Sequence, residues 1–294
     1  MTPKKKAARE PAAEAKPARK RTGKQSMTLA KSAKASVEDR VAAIAELPRE
    51  VCGSDANLEA VLALLSDASQ PLDVRLAALQ ALQAASFSVV AFEPCRGAYT
   101  ATLRKVATDP DPELRQRVLG ILMREKDGFA QKKLLDGLRD PKKALLPPEK
   151  ALQLLSYDVH SDAYPVAREI VADPPNPTAR REALRLLAAD ADSAPLFAKV
   201  LRDKDELAEN RQIAAAALQS LRPEALQEHA REIVFDASEY PEIQATSLTA
   251  LTQFGDAEAV LGDDALMKRV DTMSGGASIK VKQSAKRFLN KYGA

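Results

Sequence analysis

The sequence predicts an all-α fold in which pairs of helices stack along the chain as an α-solenoid. One short motif recurs eight times at intervals of 30 to 40 residues, and most copies place apolar residues at helical spacing. A helix pair buries its apolar face only against a neighbouring pair, so this period is typical of stacked helix pairs. Each copy begins at a residue that we call the anchor: Arg40, Arg75, Arg115, Lys150, Arg180, Arg211, Gln244 and Lys282.

The positions three, four and seven residues after each anchor form the predicted core stripe, because these spacings share one helix face. The third position is mostly small, although the fourth copy has Gln153, and the fourth is mostly Leu, although the eighth copy has Lys286. A small residue beside two large ones lets two helices approach closely. The seventh-position residues are Leu47, Leu82, Leu122, Tyr157, Leu187, Leu218, Leu251 and Leu289.

Proline and aspartate mark the helix boundaries of the repeat. A proline three residues before the anchor suits the first turn of a helix, where its missing N–H needs no partner. It occurs at Pro112, Pro147, Pro177 and Pro241. A first helix is predicted before most anchors, over residues 58–65, 99–106, 129–138, 166–171, 196–201, 226–234 and 266–270. The turns between the two helices contain Asp67, Asp109, Asp140, Asp173, Asp203 and Asp236.

This unit resembles the HEAT repeat, and more closely the HEAT-like repeat of the phycobilisome-lyase type. The resemblance covers residues 36–294 and implies an armadillo-type superhelix of seven to eight helix pairs. It also implies that the turn aspartate and the anchor arginine pair along the stack. The matching pairs are Asp67 with Arg75, Asp109 with Arg115, Asp173 with Arg180, and Asp203 with Arg211. The same scaffold carries many unrelated roles, so the resemblance implies the fold more firmly than the function.

Residues 1–35 form a basic segment with 11 Lys or Arg against two Glu, whereas the remainder of the chain has a net charge of −6. With so little apolar surface to bury, this tail is expected to be disordered, with residues 28–35 beginning to order against the first helix. It is interpreted either as a solubilising tether or as an arm that contacts nucleic-acid phosphates; a nuclear address and an organelle transit peptide are further alternatives. The residues for phosphate contact are Lys4, Lys5, Lys6, Arg9, Lys16, Arg19, Lys20, Arg21 and Lys24.

Cysteine usage and hydropathy favour a protein inside the cell. Cys52 and Cys95 are too few for a disulfide framework, so reduced thiols are expected, with the two residues as candidate spatial neighbours. No apolar run reaches the roughly 18–20 residues of a membrane helix, and no secretory signal is evident. A cytoplasmic location, or a nuclear one in a eukaryote, and no membrane contact are therefore expected.

The sequence shows no constellation of catalytic or metal-binding residues. His160 and His229 lack metal-ligand spacing, and the His-Glu motifs of the similarly built deoxyhypusine hydroxylases are missing. Phosphate-cradling loops and nucleophile turns are also missing, and the few aromatic residues argue against a DNA glycosylase. We therefore expect no enzyme activity and no cofactor.

A polar ridge is predicted along the second helices, at the positions one and five residues after the anchors. Its members point away from the core stripe and are Gln80, Gln116, Arg181, Arg185, Gln212, Thr249, Gln283 and Arg287. The ridge is interpreted either as an ordinary solvated face or as a groove for an extended peptide or a partner's helix. The function expected from these features is a non-enzymatic protein-interaction scaffold. A nucleic-acid-associated protein is the alternative, and a lyase-like accessory factor is a remote one.

Overall fold

A computed structural model describes residues 21–158 and 161–293 of the chain. Over these residues the protein is entirely helical, with 17 α-helices, three short 3₁₀ helices and no strand. This confirms the predicted all-α fold class. The chain divides into two compact units, the first ending at Val106 and the second beginning at Ala107.

The first unit consists of helix pairs and one longer helix. Its helices are α1 (Gly23–Ala30), α2 (Val37–Ala45), α3 (Asp55–Ser66), α4 (Leu72–Ser86) and α5 (Val89–Val106). Helix α2 packs on α1 and α4, and α5 packs on both α3 and α4. The core between them contains the fully buried Ile44, Leu65 and Leu82.

Helix α1 lies inside the segment that the composition assigned to a disordered tail. Thr22 and Gln25 form a capping box at its start, which satisfies backbone N–H groups that otherwise lack partners. Tertiary contacts then hold it: Ser26 donates a hydrogen bond of 2.6 Å to Glu46, and the buried Ala30 carbonyl accepts one from Arg40. The expectation of disorder is therefore wrong for residues 23–27, the ordering expected from residue 28 onwards is present in residues 28–30, and residues 1–20 lie outside the described residues.

The second unit contains two rows of helices. Its helices are α6 (Pro112–Arg124), α7 (Gly128–Arg139), α8 (Pro148–Leu155), α9 (Tyr164–Ala172), α10 (Pro177–Leu187), α11 (Ala194–Arg202), α12 (Ala208–Leu221), α13 (Pro223–Phe235), α14 (Pro241–Phe254), α15 (Ala257–Leu261), α16 (Asp264–Ser274) and α17 (Ile279–Tyr292). In the row of second helices, each member contacts the next from α6 through α8, α10, α12 and α14 to α17. The first helices α7, α9, α11, α13 and α16 each pack on the second helix of their own pair. The stacked pairs predicted from the repeat are thus present in this unit.

The predicted core stripe is buried in most copies, and the fourth copy shows a change of register. In α8 the buried residues are Ala151, Leu152, Leu154 and Leu155, so the predicted Leu154 is confirmed, whereas Gln153 and Tyr157 are exposed. The spacing of three, four and seven therefore counts from Pro148 rather than from Lys150. Helix α8 begins at Pro148, two residues before the predicted anchor, whereas α6, α10 and α14 begin at a proline three residues before theirs.

The eighth copy is displaced by one residue. In α17 the buried residues are Ser284, Ala285 and Phe288, and Lys286 is exposed. The same spacing counts from Val281, which is itself buried. Lys286, which occupies a predicted core position, therefore lies in solvent, where its charge remains hydrated.

The anchor arginines close the ends of the preceding helices. The Nε–H groups of Arg40, Arg75 and Arg211 donate to the carbonyls ten residues earlier, at distances of 2.9, 3.0 and 2.9 Å respectively. The last four carbonyls of a helix lack partners within that helix, so each arginine satisfies one of them. The buried guanidinium therefore joins the two helices of one repeat.

The charged partners of Arg180 and Arg211 differ from the predicted turn aspartates, whereas the charge of Arg75 contributes to lowering the pKa of Asp67, its predicted partner. Arg211 binds both carboxylate oxygens of Glu239, at 2.9 and 2.6 Å, and Arg180 binds Glu206. The pairings of Arg211 with Asp203 and of Arg180 with Asp173 are therefore wrong. Asp203 instead accepts the N–H of Asp205 within its own turn.

Asp67 and Asp109 also accept hydrogen bonds within their own turns. Asp67 accepts from Gln70 and Ser69, and these bonds lower its pKa to about 2. Asp109 accepts the N–H of Asp111 at 3.0 Å. The turn aspartates are thus used as local caps, because a short side chain reaches the backbone two residues ahead.

Cys52 and Cys95 lie close together in the first unit and are joined as a disulfide, with Cα atoms 6.4 Å apart. The expected proximity is confirmed, and the expectation of reduced thiols is wrong. The cross-link connects the segment after α2 to α5, across the two intervening helices.

The buried Arg211–Glu239 pair gives a stability prediction. Glu239→Gln removes one partner of a pair in which both side chains are at most 2% exposed, and leaves an uncompensated buried guanidinium. We expect the free energy of unfolding to fall by about 3–5 kcal/mol, measured by urea denaturation. The matched control is Glu113→Gln, which breaks an exposed pair with Arg117 and is expected to cost about 1 kcal/mol or less.

The pH dependence of the free energy of unfolding tests whether Glu239 stabilises the fold through its charge rather than through its packing. Burial raises the pKa of Glu239, but hydrogen bonds from Arg211 and Lys204 outweigh it, so the pKa lies below its usual value. A lowered folded-state pKa stabilises the fold above the unfolded pKa, and this stabilisation is lost as the pH falls through the folded value. The difference between wild type and Glu239→Gln is therefore constant at neutral pH and shrinks below about pH 4. An equal difference at pH 7 and pH 2 contradicts the assignment.

Candidate functional site

A polar groove lies on the row of second helices in the second unit. Its volume is about 370 Å³, within the lower range of ligand-binding clefts. Helix α14 contacts both α12 and α17; we call its small lining residues, together with Ser284 of α17, the floor, and the longer lining side chains of α12 and α17 the walls. The lining residues are Gln212, Gln219, Glu242, Ala245, Thr246, Thr249, Lys280, Gln283, Ser284 and Arg287.

Four members of the predicted polar ridge meet in this groove: Gln212, Thr249, Gln283 and Arg287. Their placement follows from core packing. Burial of the stripes of α12, α14 and α17 fixes the rotation of each helix, and residues beside the stripe then face the same side. Gln212 is positioned directly by its neighbour Arg211, which is bonded to the preceding helix.

The floor of the groove is made of small residues whose polar groups are already bonded. Thr246 and Thr249 donate hydrogen bonds of 3.0 and 2.9 Å to carbonyls of their own helix. Thr249 and Ser284 also approach each other, with their hydroxyl oxygens 3.4 Å apart. With Ala245, these residues give a shallow surface that a partner's backbone can approach closely.

The walls contain the polar groups that have no hydrogen-bond or ion-pair partner among the described residues. The amides of Gln212, Gln219 and Gln283 make no hydrogen bond, and Arg287 has no ion-pair partner, among the residues that the structure describes. Glu242 is compensated by Lys280, at 3.5 Å. The groove therefore offers amide donors and acceptors together with one positive charge that is not neutralised.

The remaining ridge residues do not belong to this groove. Gln80 is exposed on α4 in the first unit, and Gln116 is exposed on α6. Arg181 and Arg185 on α10 both bind Glu209 of α12, at 2.9 and 3.0 Å. Because their charge is compensated, these two arginines are less available to a partner than the ridge pattern indicates.

Sequence reasoning missed the groove residues that lie off the two ridge positions. Gln219 lies seven residues after Gln212, and Thr246 lies three residues before Thr249, so both share a helix face with a ridge member. Extending the ridge by helical periodicity would have found both residues. Lys280 and Ser284 required the true register of α17, which counts from Val281.

Most of the residues predicted for nucleic-acid contact cannot be placed. Lys4, Lys5, Lys6, Arg9, Lys16, Arg19 and Lys20 lie outside the described residues, as does His160. Of the other two, Arg21 lies 3.6 Å from Glu46, and Lys24 is exposed on α1. Within the described ranges, no helix is long and apolar enough to cross a membrane.

Comparisons with known proteins gave matches among solved structures alone. No protein-family model matches the chain, and no curated protein sequence does. Among solved structures, the complex of CpcE and CpcF of phycocyanin lyase from Nostoc sp. PCC7120 is 18% identical, with 97% of this chain and 99% of that chain covered and a TM-score of 0.39. Human deoxyhypusine hydroxylase in complex with glycerol is 16% identical, with 84% and 99% covered and a TM-score of 0.35. An engineered protein is 16% identical, with 92% and 89% covered and a TM-score of 0.48.

At 16–18% identity and TM-scores of 0.35 to 0.48, these likenesses assign the chain to no family and to no function. Two of the three similar structures are a lyase and a hydroxylase, whereas the sequence predicted no enzyme activity. That expectation is withdrawn.

The groove residues on α17 are predicted to be dispensable for folding. Gln283→Ala and Arg287→Ala are expected to change the free energy of unfolding by no more than about 0.5 kcal/mol, because both side chains are exposed and unpaired. Phe288→Ala on the same helix is the control and is expected to cost about 3–5 kcal/mol, because Phe288 is fully buried. Urea denaturation of the three variants checks this; a large loss in Arg287→Ala would show that the groove wall is part of the core.

Proposed function

We propose that the chain binds another protein through the polar groove formed by α12, α14 and α17. The observation that carries the proposal is the gathering of three unbonded glutamine amides and an unpaired arginine in one groove on rigid helices. Helix packing fixes the backbones that carry these groups, so binding orders the side chains without also ordering a loop. Arginine is also enriched among the residues that dominate binding at protein interfaces.

The charge of the groove favours a protein over nucleic acid. Phosphate contact requires several basic side chains, since affinity grows with the number of phosphates neutralised. The groove has one uncompensated cation, and Glu242 lies within it. Contact of the basic tail with nucleic acid is a separate hypothesis that the same experiment addresses. The proposal concerns binding, whether or not the bound partner is also a substrate.

The proposal predicts that capture of a partner depends on the groove. A variant with Gln212→Ala, Gln283→Ala and Arg287→Ala is compared with wild type by affinity capture and mass spectrometry of the full chain. We expect a protein partner to be retained by wild type and lost by this variant, because the uncommitted groups are removed together.

The matched control is Gln80→Ala with Gln116→Ala, which alters two exposed ridge residues outside the groove and is expected to retain the partner. Nuclease treatment is included in every arm. Equal retention by the groove variant contradicts the proposal. Loss of every partner on nuclease treatment supports the nucleic-acid alternative instead.

A further inference from the structure

The lining of the groove distinguishes between two kinds of partner segment. An amphipathic helix is held through apolar anchors three, four and seven residues apart, and its own backbone groups are bonded internally. Ala245 is the one apolar residue among the groove's described lining residues. The groove therefore provides no pockets for the apolar anchors of a helix. A helix in turn offers no free backbone groups that the glutamine amides could bind.

We propose that the groove holds an extended peptide segment, whose backbone is bound by Gln212, Gln219 and Gln283 and whose acidic side chain is bound by Arg287. This inference rests on the proposed function and specifies the partner. An extended segment has backbone N–H and C=O groups that require partners. Each glutamine amide supplies both a donor and an acceptor, which matches a peptide group.

The arrangement of the glutamines suits a strand-like segment. Gln212 and Gln219 lie seven residues apart on one face of α12, and Gln283 lies on α17 in the opposite wall. A segment between the walls presents successive backbone groups to alternate sides. The small floor residues Ala245 and Ser284 leave room for its backbone to approach α14 and α17.

The positive charge of the groove favours an acidic side chain on the bound segment. The carboxylate of Glu242 is compensated by Lys280, whereas the guanidinium of Arg287 is exposed and without an ion-pair partner among the described residues. An aspartate or glutamate on the segment completes a charge-assisted hydrogen bond there, and such bonds are about twice as strong as neutral ones. The hydroxyls of Thr246 and Thr249 already donate to their own helix, so they do not offer competing donors.

The test uses a random twelve-residue peptide library displayed on phage and selected on the full chain. Wild type is expected to enrich peptides that have Asp or Glu at one fixed position. Arg287→Glu is expected to replace that preference with Lys or Arg and to weaken the wild-type-selected peptides by about tenfold to a hundredfold. The control is Lys286→Glu, since Lys286 is exposed on α17 but does not line the groove, and it is expected to leave the preference unchanged.

A scan of the selected peptide separates an extended from a helical occupant. N-methylation of single backbone amides is expected to weaken binding at successive positions of the bound stretch, because an extended segment presents its N–H groups alternately to the glutamines of the two walls. Loss of affinity on alanine substitution with a spacing of three and four residues indicates a helix and overturns the inference. A library that yields no peptide dependent on Arg287, or one with no acidic preference, also overturns it.

These outcomes are distinct from those of the capture experiment. If the groove variant loses its cellular partner while the selected peptides show no acidic preference, the proposed function stands and the inference fails. If the peptides behave as expected while the groove variant retains every cellular partner, the proposed function fails.

Discussion

The burial of one stripe on each second helix is the constraint on which the second unit depends. The third position of the stripe is small in Ala183, Ala214 and Ser247, and the large residues Leu184, Leu248 and Leu251 pack around it, all with little or no exposure. Because a helix pair cannot cover this stripe alone, each second helix is held by its neighbours in the row. The rotation of every helix about its axis is thereby fixed.

The groove is a consequence of that rotation. Once the stripes of α12, α14 and α17 turn inward, the neighbouring glutamines and Arg287 turn to the same outer side. The anchor Arg211 reinforces this arrangement, because its guanidinium bonds α12 to the carbonyl of Leu201 and to Glu239. Core packing and a buried ion pair therefore hold the helices that carry the proposed binding side chains, and these side chains form no hydrogen bond or ion pair of their own within the described part of the chain.

The recurring motif made the fold predictable from the sequence, but irregular copies made the ion-pair partners and the helix registers harder to predict. The recurring Leu and Ala predicted the helix pairs, since periodic burial is read directly from spacing. The partner of Arg211 was missed because Glu239 lies 28 residues further along and comes near only through stacking. The register of the fourth copy was missed because Lys150 resembles an anchor, although Pro148 begins the helix.

The candidate site was predictable only in part, for a similar reason. Helical spacing placed Gln212, Thr249, Gln283 and Arg287 outside the core, but it did not show that they share a groove. Nor did it show that Arg181 and Arg185 are neutralised by Glu209 of the next pair. The missing catalytic motif predicted a protein without enzyme activity, an expectation now withdrawn, because a missing motif does not exclude residues that come together only in the fold.

Hydrogen exchange of Leu248→Ala tests most directly whether stripe burial holds the groove helices together. Leu248 is fully buried on α14, which contacts both α12 and α17. If shared burial holds the three helices, their amides exchange faster in parallel in this variant, as one cooperative unit. Faster exchange confined to α14, with α12 and α17 unchanged, would contradict the account.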